Sequence, residues 1–355
     1  MSAFTSVIFG ILMFSVLIFV HELGHFIAAK ASGVQVNEFS MFMGPAIFKK
    51  QGKETLYTIR CIPLGGYCAM EGEDEDTDNP RSFQKAKWWK RLIILVSGAA
   101  MNFLLGILLF FIIALPGERM ATTTVQTVKD CYPYTAQSGI QIGDRILEVD
   151  GETVYVAEDV SFLINLTGGD SHDFVVERNG ERITFRDMKV HACKDAKGND
   201  IRHFGFAMGY KDMTLLDKMG YAWNMTLDNI RNVRLSLVML FTGKAGFRDM
   251  MGPVGIVGTM TDVATQSPTW LDAFMNILYF GAFIAVNLGV MNLLPIPALD
   301  GGRVVGLLLT TGIEKITRKK LDPKYEGYVH GVGMILLLGL MAVILFKDVF
   351  MIFKG

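Results

Sequence analysis

His21-Glu22-Leu23-Gly24-His25 lies inside an apolar run, where ionisable groups are out of place. Residues 2–20 carry no ionisable side chain, and residues 26–29 stay apolar until Lys30. Two histidines four apart stand one above the other on a helix face, where both reach one metal ion. The glutamate beside the first histidine is placed to handle the proton of water activated at that metal. A charged side chain at the centre of a bilayer costs about 2.5–3.5 kcal/mol on insertion scales, so such groups mark a functional site. The chemistry expected is zinc-dependent hydrolysis within a membrane.

A catalytic zinc takes three protein ligands and keeps one position open. His21 and His25 supply two. Glu38 and Glu54 are eligible for the third by spacing alone, but they fall in a hydrophilic stretch. Asp300 is the better candidate, because it ends an apolar run at the depth of the histidines. Taken alone, Asp300 reads equally well as a helix cap, with Gly301 and Gly302 as turn residues. Asn287 and Asn292 are costly in an apolar span; they either join helices or handle a substrate backbone, and the second use is expected facing zinc. Asn102 is open between the same two uses.

Positioning these groups falls to four uncharged runs, each able to cross about 30 Å of hydrocarbon. They cover about 4–29, 92–115, 273–294 and 328–346 in a chain of 355 residues that is 51% hydrophobic. The connection 30–91 holds ten Lys and Arg residues and 298–327 holds six, whereas nothing basic precedes the first run. Basic loops favour the cytoplasm, which puts both termini outside and both histidines near the cytoplasmic side, level with Asp300. The absence of any Lys or Arg before residue 30 reads as a retained span rather than a cleaved signal peptide.

The fold class expected is a polytopic α-helical membrane protein with four transmembrane helices and an inserted extracytoplasmic β-rich domain. Its parts are a first span (1–30), a cytoplasmic loop with a membrane-associated β-hairpin (31–91) and a second span (92–115). The extracytoplasmic domain (116–212) and an interfacial amphipathic segment (213–272) follow. A third span carrying Asp300 (273–302), a cytoplasmic loop (303–327) and a fourth span (328–355) complete the chain. Within the insert, strands at 174–178 and 181–185 flank Asn179-Gly180, a two-residue hairpin signal, and 157–166 reads as a short helix. The stretch 138–151, with Gly139, Gly143 and Asp144, resembles the turn-and-strand signature of PDZ domains, which bind peptides by strand addition. Phe204-Gly205-Phe206 is a weak candidate for its carboxylate loop, and a ligand-free β-sandwich is the plainer reading. Arg231 and Arg234 sit among leucines and methionines in a helix expected on the membrane surface, with a buried soluble helix as the competing reading.

A net charge of −1 argues against a nucleic-acid partner. Cys61, Cys68, Cys131 and Cys193 form no C-x-x-C pair, so a cysteine zinc site is not expected; a disulfide between Cys131 and Cys193 stays open.

Taken together, His21 to His25, Asn287-Leu288-Gly289 and Asn292 through Gly302 resemble the site-2 protease family of intramembrane zinc metalloproteases. The RseP/RasP-type bacterial branch with a PDZ insert is the nearest likeness, and it extends to Gly65-Gly66-Tyr67, Ser97-Gly98, Asn102 and Gly252 through Ile256. The resemblance implies His21, His25 and Asp300 as zinc ligands and Glu22 as catalytic base. It also implies a substrate-handling role for Asn287, Asn292 and Asn102, and a cleft bordered by Gly65, Gly66 and Tyr67. Gly98 is followed by Ala99-Ala100 where many members have Gly-Pro, and only one PDZ-like unit fits the insert where some relatives have two. Substrates implied are single-span membrane proteins already shortened by another protease, such as anti-sigma factors, or signal-peptide remnants. The location implied is the bacterial plasma membrane. The rivals are a metal transporter, which needs ionisable groups along a path through several spans, and a PDZ scaffold, which has no use for Glu22.

Overall fold

The computed structural model describes residues 3–73, 77–128, 132, 134, 138–189, 191–194, 200–203, 205–246, 250–318 and 324–354. The chain divides into two compact units, residues 1–109 with 232–355, and residues 110–231.

The first unit holds α1 (Ala3–Ser32), β1 (Val36–Gln51), β2 (Leu56–Met70) and most of α2 (Trp88–Ala114). After the insert come α5 (Pro253–Gln266), α6 (Trp270–Asn292), α7 (Asp300–Thr317) and α8 (Lys324–Lys354). Four helices are long and apolar enough to cross a membrane: Val7–Ser32, Trp88–Ala114, Trp270–Asn292 and Gly327–Asp348. Their surfaces are largely apolar; on α8, Tyr328, Ile335, Leu336 and Phe346 are exposed, as lipid contact requires and water would oppose.

The helices meet closely where side chains vanish. A Cβ on Gly24 would stand 2.4 Å from the Ser97 carbonyl oxygen, so α1 and α2 touch backbone to backbone at the histidine segment. On one side of that contact, Ala29, Val34, Phe39, Met70, Phe83, Ile94 and Leu307 form a buried core joining α1, β1, β2, α2 and α7. On another, Met260 and Ala264 of α5 pack with Ala273 and Ile277 of α6 and with Phe9 and Met13 of α1.

The strands β1 and β2 fold twice on each other. Phe39 is paired with both Cys68 and Tyr57, and Met41 with both Gly66 and Ile59, so residues 38–41 lie between two stretches of β2. Residues 46–51 close a further hairpin on 56–60, from Ala46 opposite Arg60 to Gln51 opposite Leu56. Residues 66–70 pair with 36–41 on one side, and this stretch is the other margin of the sheet.

Two expectations about this unit need correction. The third span and Asp300 are not one helix: α6 ends at Asn292, and Pro295 and Pro297, lacking N–H groups, bar its continuation. Residues 303–317 are not loop but the body of α7, whose apolar face buries Leu307. Residues 253–266, within the stretch 213–272, form α5, which packs on α1 and α6 with Met260 1% exposed and Ala264 fully covered.

The second unit contains β3 (Arg119–Val128), β4 (Arg145–Val149), β5 (Glu152–Thr153), α3 (Glu158–Thr167), β6 (Ser171–Arg178) and β7 (Glu181–Lys189). A separate pair, β8 (His191–Lys194) and β9 (Asp200–His203), precedes β10 (Phe206–Asp212) and α4 (Leu215–Phe241), which runs on into the first unit. The main sheet has the order β10-β3-β4-β6-β7, with β5 added to β4. Asn179 and Gly180 join β6 to β7 with φ of 53° and 84°, the doubly left-handed turn that the Asn-Gly pair signals. Val149, Phe174, Val176, Val160 and Leu163 are buried between sheet and α3.

Arg231 is 5% exposed and bonds both Asp159 oxygens, at 2.9 and 3.1 Å, and Asp228, so its charge is met inside the protein. Phe204 and Cys131 lie outside the described residues, as does the side chain of Cys193.

Candidate metal centre

His21 and His25 project from the same face of α1, and Asp300 comes from the first turn of α7. The structure brings these three together. His21 Nε2 lies 3.2 Å from His25 Nε2 and 3.2 Å from Asp300 Oδ2, and His25 Nε2 lies 3.3 Å from that oxygen. Bonds of about 2.0–2.1 Å to a tetrahedral zinc place adjacent ligand atoms about 3.3 Å apart, so this triangle has the size of one face of such a site. Asp300 Oδ2 is buried without a hydrogen-bond partner among the described residues. A shielded carboxylate oxygen facing two imidazole nitrogens calls for a cation.

Both rings are held through their other nitrogen. His25 Nδ1 is 2.8 Å from the Ile94 carbonyl oxygen, so it donates there and leaves the Nε2 lone pair for a metal. His21 Nδ1 meets the amides of Asn102, at 3.3 Å, and Asn292, at 3.4 Å. Asn102 is fully buried, and its Oδ1 has no partner among the described residues. Turning that amide by half a rotation, which exchanges two nearly indistinguishable atoms, lets Oδ1 accept from His21 Nδ1–H. Both imidazoles then offer Nε2 to the same point.

Gly98 makes room for this arrangement. A Cβ there would lie 2.3 Å from His25 Nε2 and 2.7 Å from His21 Cε1. Any larger residue would intrude on the donors.

The triangle opens on a cleft of about 780 Å³. His21, Glu22, His25 and Asp300 line it with residues 66–73, Leu299, Arg303 and Met334. Glu22 borders Gly66, whose added Cβ would stand 3.4 Å from Glu22 Cγ. Tyr67 is fixed by Arg60, which donates to its hydroxyl at 2.5 Å and lies 5.3 Å from its ring centre. Gly65, expected to border the cleft, has φ of 77° and stands behind Met43, which lines the cleft in its place. Glu73 and Arg303 form an ion pair across the cleft wall.

Asn287 is not at the donors. Its amide donates to the Phe283 carbonyl in its own helix at 3.1 Å, and it lines a separate cavity with Asn232, Ser236, Met250 and Met291. Five residues along a helix is a rotation of about 140°, so Asn287 and Asn292 cannot share a face.

In the inserted unit, Gly139, Gly143 and Asp144 serve the fold. Asp144 is 1% exposed, bound to Arg178 at 2.7 and 2.8 Å and to the Gln141 N–H at 2.7 Å, which leaves it nothing to present to a peptide. Gly143 has φ of 94°, and a Cβ on Gly139 would strike Tyr132 and Tyr134 at 2.4 Å. Sequence reasoning missed Gly98 as the donors' floor and the Ile94 carbonyl as the partner of His25. The first had a signal, the small-residue run Ser97-Gly98-Ala99-Ala100 in an apolar span, but a backbone carbonyl carries none.

Four apolar helices, two strands folded into the cleft and a triangle of zinc-spaced donors define a multi-pass membrane zinc metalloprotease of the site-2 protease type. The chain belongs to Peptidase family M50, whose model matches residues 9–340. It is 37% identical over 348 residues to a protein of Clostridium acetobutylicum provisionally named a zinc metalloprotease, with 98% of each chain covered. It is 29% identical to the zinc metalloprotease RasP of Oceanobacillus iheyensis, covering 97% of this chain and 99% of the relative. A RasP of Geobacillus kaustophilus is 27% identical, with 97% of each covered.

Proposed function

We propose that this protein cuts peptide bonds within the transmembrane segments of single-span membrane proteins, with His21, His25 and Asp300 holding zinc and Glu22 acting as base. The observation that carries this reading is the 3.2–3.3 Å triangle of donors opening on the cleft that Glu22 lines. Zinc held there supplies a Lewis acid that activates water near neutral pH and polarises a carbonyl. Glu22 takes a proton from the attacking water and passes it to the departing amine. Ile94 and Asn102 keep both rings aimed, and Asn292 adds a second amide beside His21.

A transmembrane helix ties its carbonyls into internal hydrogen bonds, so a substrate must unwind before attack. Residues 66–70 are suited to hold the unwound segment, because they end the sheet along the cleft and a substrate strand pairing with them would lie beside Glu22. The PDZ-like insert acts on the outer side as a filter that admits stubs whose outer domains have been removed. With both termini outside and the basic loops within, the site opens near the cytoplasmic face of a bacterial plasma membrane. The substrates proposed are regulators of the anti-sigma-factor kind or signal-peptide remnants. Asn287, on its own cavity, contacts a part of the substrate away from the scissile bond.

In the test, purified wild type, Glu22→Gln and Asp300→Ala are given a single-span substrate with and without its outer domain. Glu22→Gln should keep zinc and lose cleavage by at least a thousandfold, and Asp300→Ala should lose the metal. Cleavage by Glu22→Gln at the wild-type rate, or a full zinc complement in folded Asp300→Ala, would overturn the assignment.

A further inference from the structure

Seven residues, 293–299, join α6 to α7 and end at Asp300. They are wound tightly: Ile296 N–H donates to the Leu294 carbonyl at 2.7 Å, and Leu299 N–H to that of Ile296 at 3.1 Å. Within them Ala298 has φ of 82°, a left-handed conformation that a residue with a Cβ disfavours. Alanine stays there only when its surroundings enforce it.

The enforcing contacts come from α8. Ala298 N–H donates to Nδ1 of His330 at 3.1 Å. One turn further along, a Cβ on Gly333 would lie 2.3 Å from Pro297 Cβ and 2.8 Å from the Pro297 carbonyl oxygen, so the α8 backbone rests on the turn. Residues three apart share a helix face, which makes these two contacts one clamp. His330 is the one titratable side chain between Tyr328 and Phe346, and a polar group kept in such a run has work to do. Accepting through Nδ1 requires the neutral ring with its proton on Nε2.

We infer that His330 is a positioning residue for Asp300: by receiving the Ala298 N–H it holds the turn in its left-handed form and so sets where the Asp300 carboxylate stands. The inference rests on the reading of Asp300 as a zinc ligand. His330 touches neither substrate nor metal in this account, and its effect passes through Leu299, the one residue between Ala298 and Asp300. Geometry at a metal tolerates displacements of only about 0.2 Å, so a slackened turn should appear as weakened binding before it appears as unfolding.

The experiment uses the full-length protein in detergent, with zinc affinity from chelator competition and kcat and KM on a single-span substrate. His330→Leu keeps the bulk and removes the acceptor; His330→Asn returns an acceptor near the Nδ1 position. His330→Leu should weaken zinc binding at least tenfold and lower kcat with KM little changed, while His330→Asn should stay within threefold of wild type. Ala298→Gly needs no clamp to adopt a positive φ, so on that background His330→Leu should weaken zinc less than threefold. If His330→Leu does not fold, His330→Gln, with its acceptor displaced, is read in its place. Wild-type zinc affinity in folded His330→Leu, or an equal loss on both backgrounds, would overturn the inference alone. A wild type that binds no zinc would overturn the ligand assignment and the inference with it.

Discussion

Replacing Gly98 with alanine adds one methyl group to a helix interior, a change that ordinarily favours the helix by about 1 kcal/mol. Here that methyl would stand 2.3 Å from His25 Nε2, where ordinary contact begins near 3.4 Å, so something must move by about 1 Å. Neither neighbour has slack. The His25 ring is tied to the Ile94 carbonyl at 2.8 Å, and α1 already touches α2 through Gly24 and Ser97. Overpacking of this kind costs about 1–3 kcal/mol. If the strain is relieved by tilting the ring, it falls on metal binding, where the same energy is a loss of about 5- to 150-fold. Chelator competition on purified protein, with thermal unfolding measured alongside, separates a displaced donor from a destabilised bundle. Gly258→Ala in α5 is the control, since a Cβ there meets nothing within 4 Å. Wild-type zinc affinity and cleavage in Gly98→Ala would refute the claim that this glycine is the floor of the site.

Arg231→Met would leave Asp159 and Asp228 buried without their cation, at a cost of about 3–5 kcal/mol, and should lower the melting of the inserted unit by about 10 °C or more; an unchanged melt would refute the role of the trio. Burial alone would raise the Asp150 carboxyl, but hydrogen bonds from His172, the Asp173 N–H and Thr167 bring it below the usual range. A depressed carboxylate stabilises the fold above its unfolded value, near 3.9, and this is lost as pH falls through the folded value. The stability gap between wild type and Asp150→Asn should therefore be widest at pH 6 and narrow below about pH 3.9; a gap independent of pH would oppose this.

The features legible in sequence were those written in local pattern or in the cost of burying charge. His21, His25 and Asp300 were readable because a bilayer makes each expensive, and depth alone paired residues at opposite ends of the chain. Asn179-Gly180 fixed its hairpin because few other pairs accept two positive φ angles. Where local pattern fell short, tertiary contacts decided. Asn287 and Asn292 look alike in sequence, yet five residues of helix turn them to different surroundings. Pro295 and Pro297 mark the end of α6 in the uncharged stretch 273–299, but that α7 begins at Asp300 is set by packing that local pattern does not show. Asp144 belongs to the turn-and-strand stretch 138–151, and its partner Arg178, thirty-four residues away, is not visible in local pattern.

Because the donors lie in α1 and at the start of α7, no ribosome-bound chain shorter than 300 residues possesses a reaction centre, and the clamp on Ala298 awaits Gly333. The donor set is thus assembled late, after α1 through α6 have already been made.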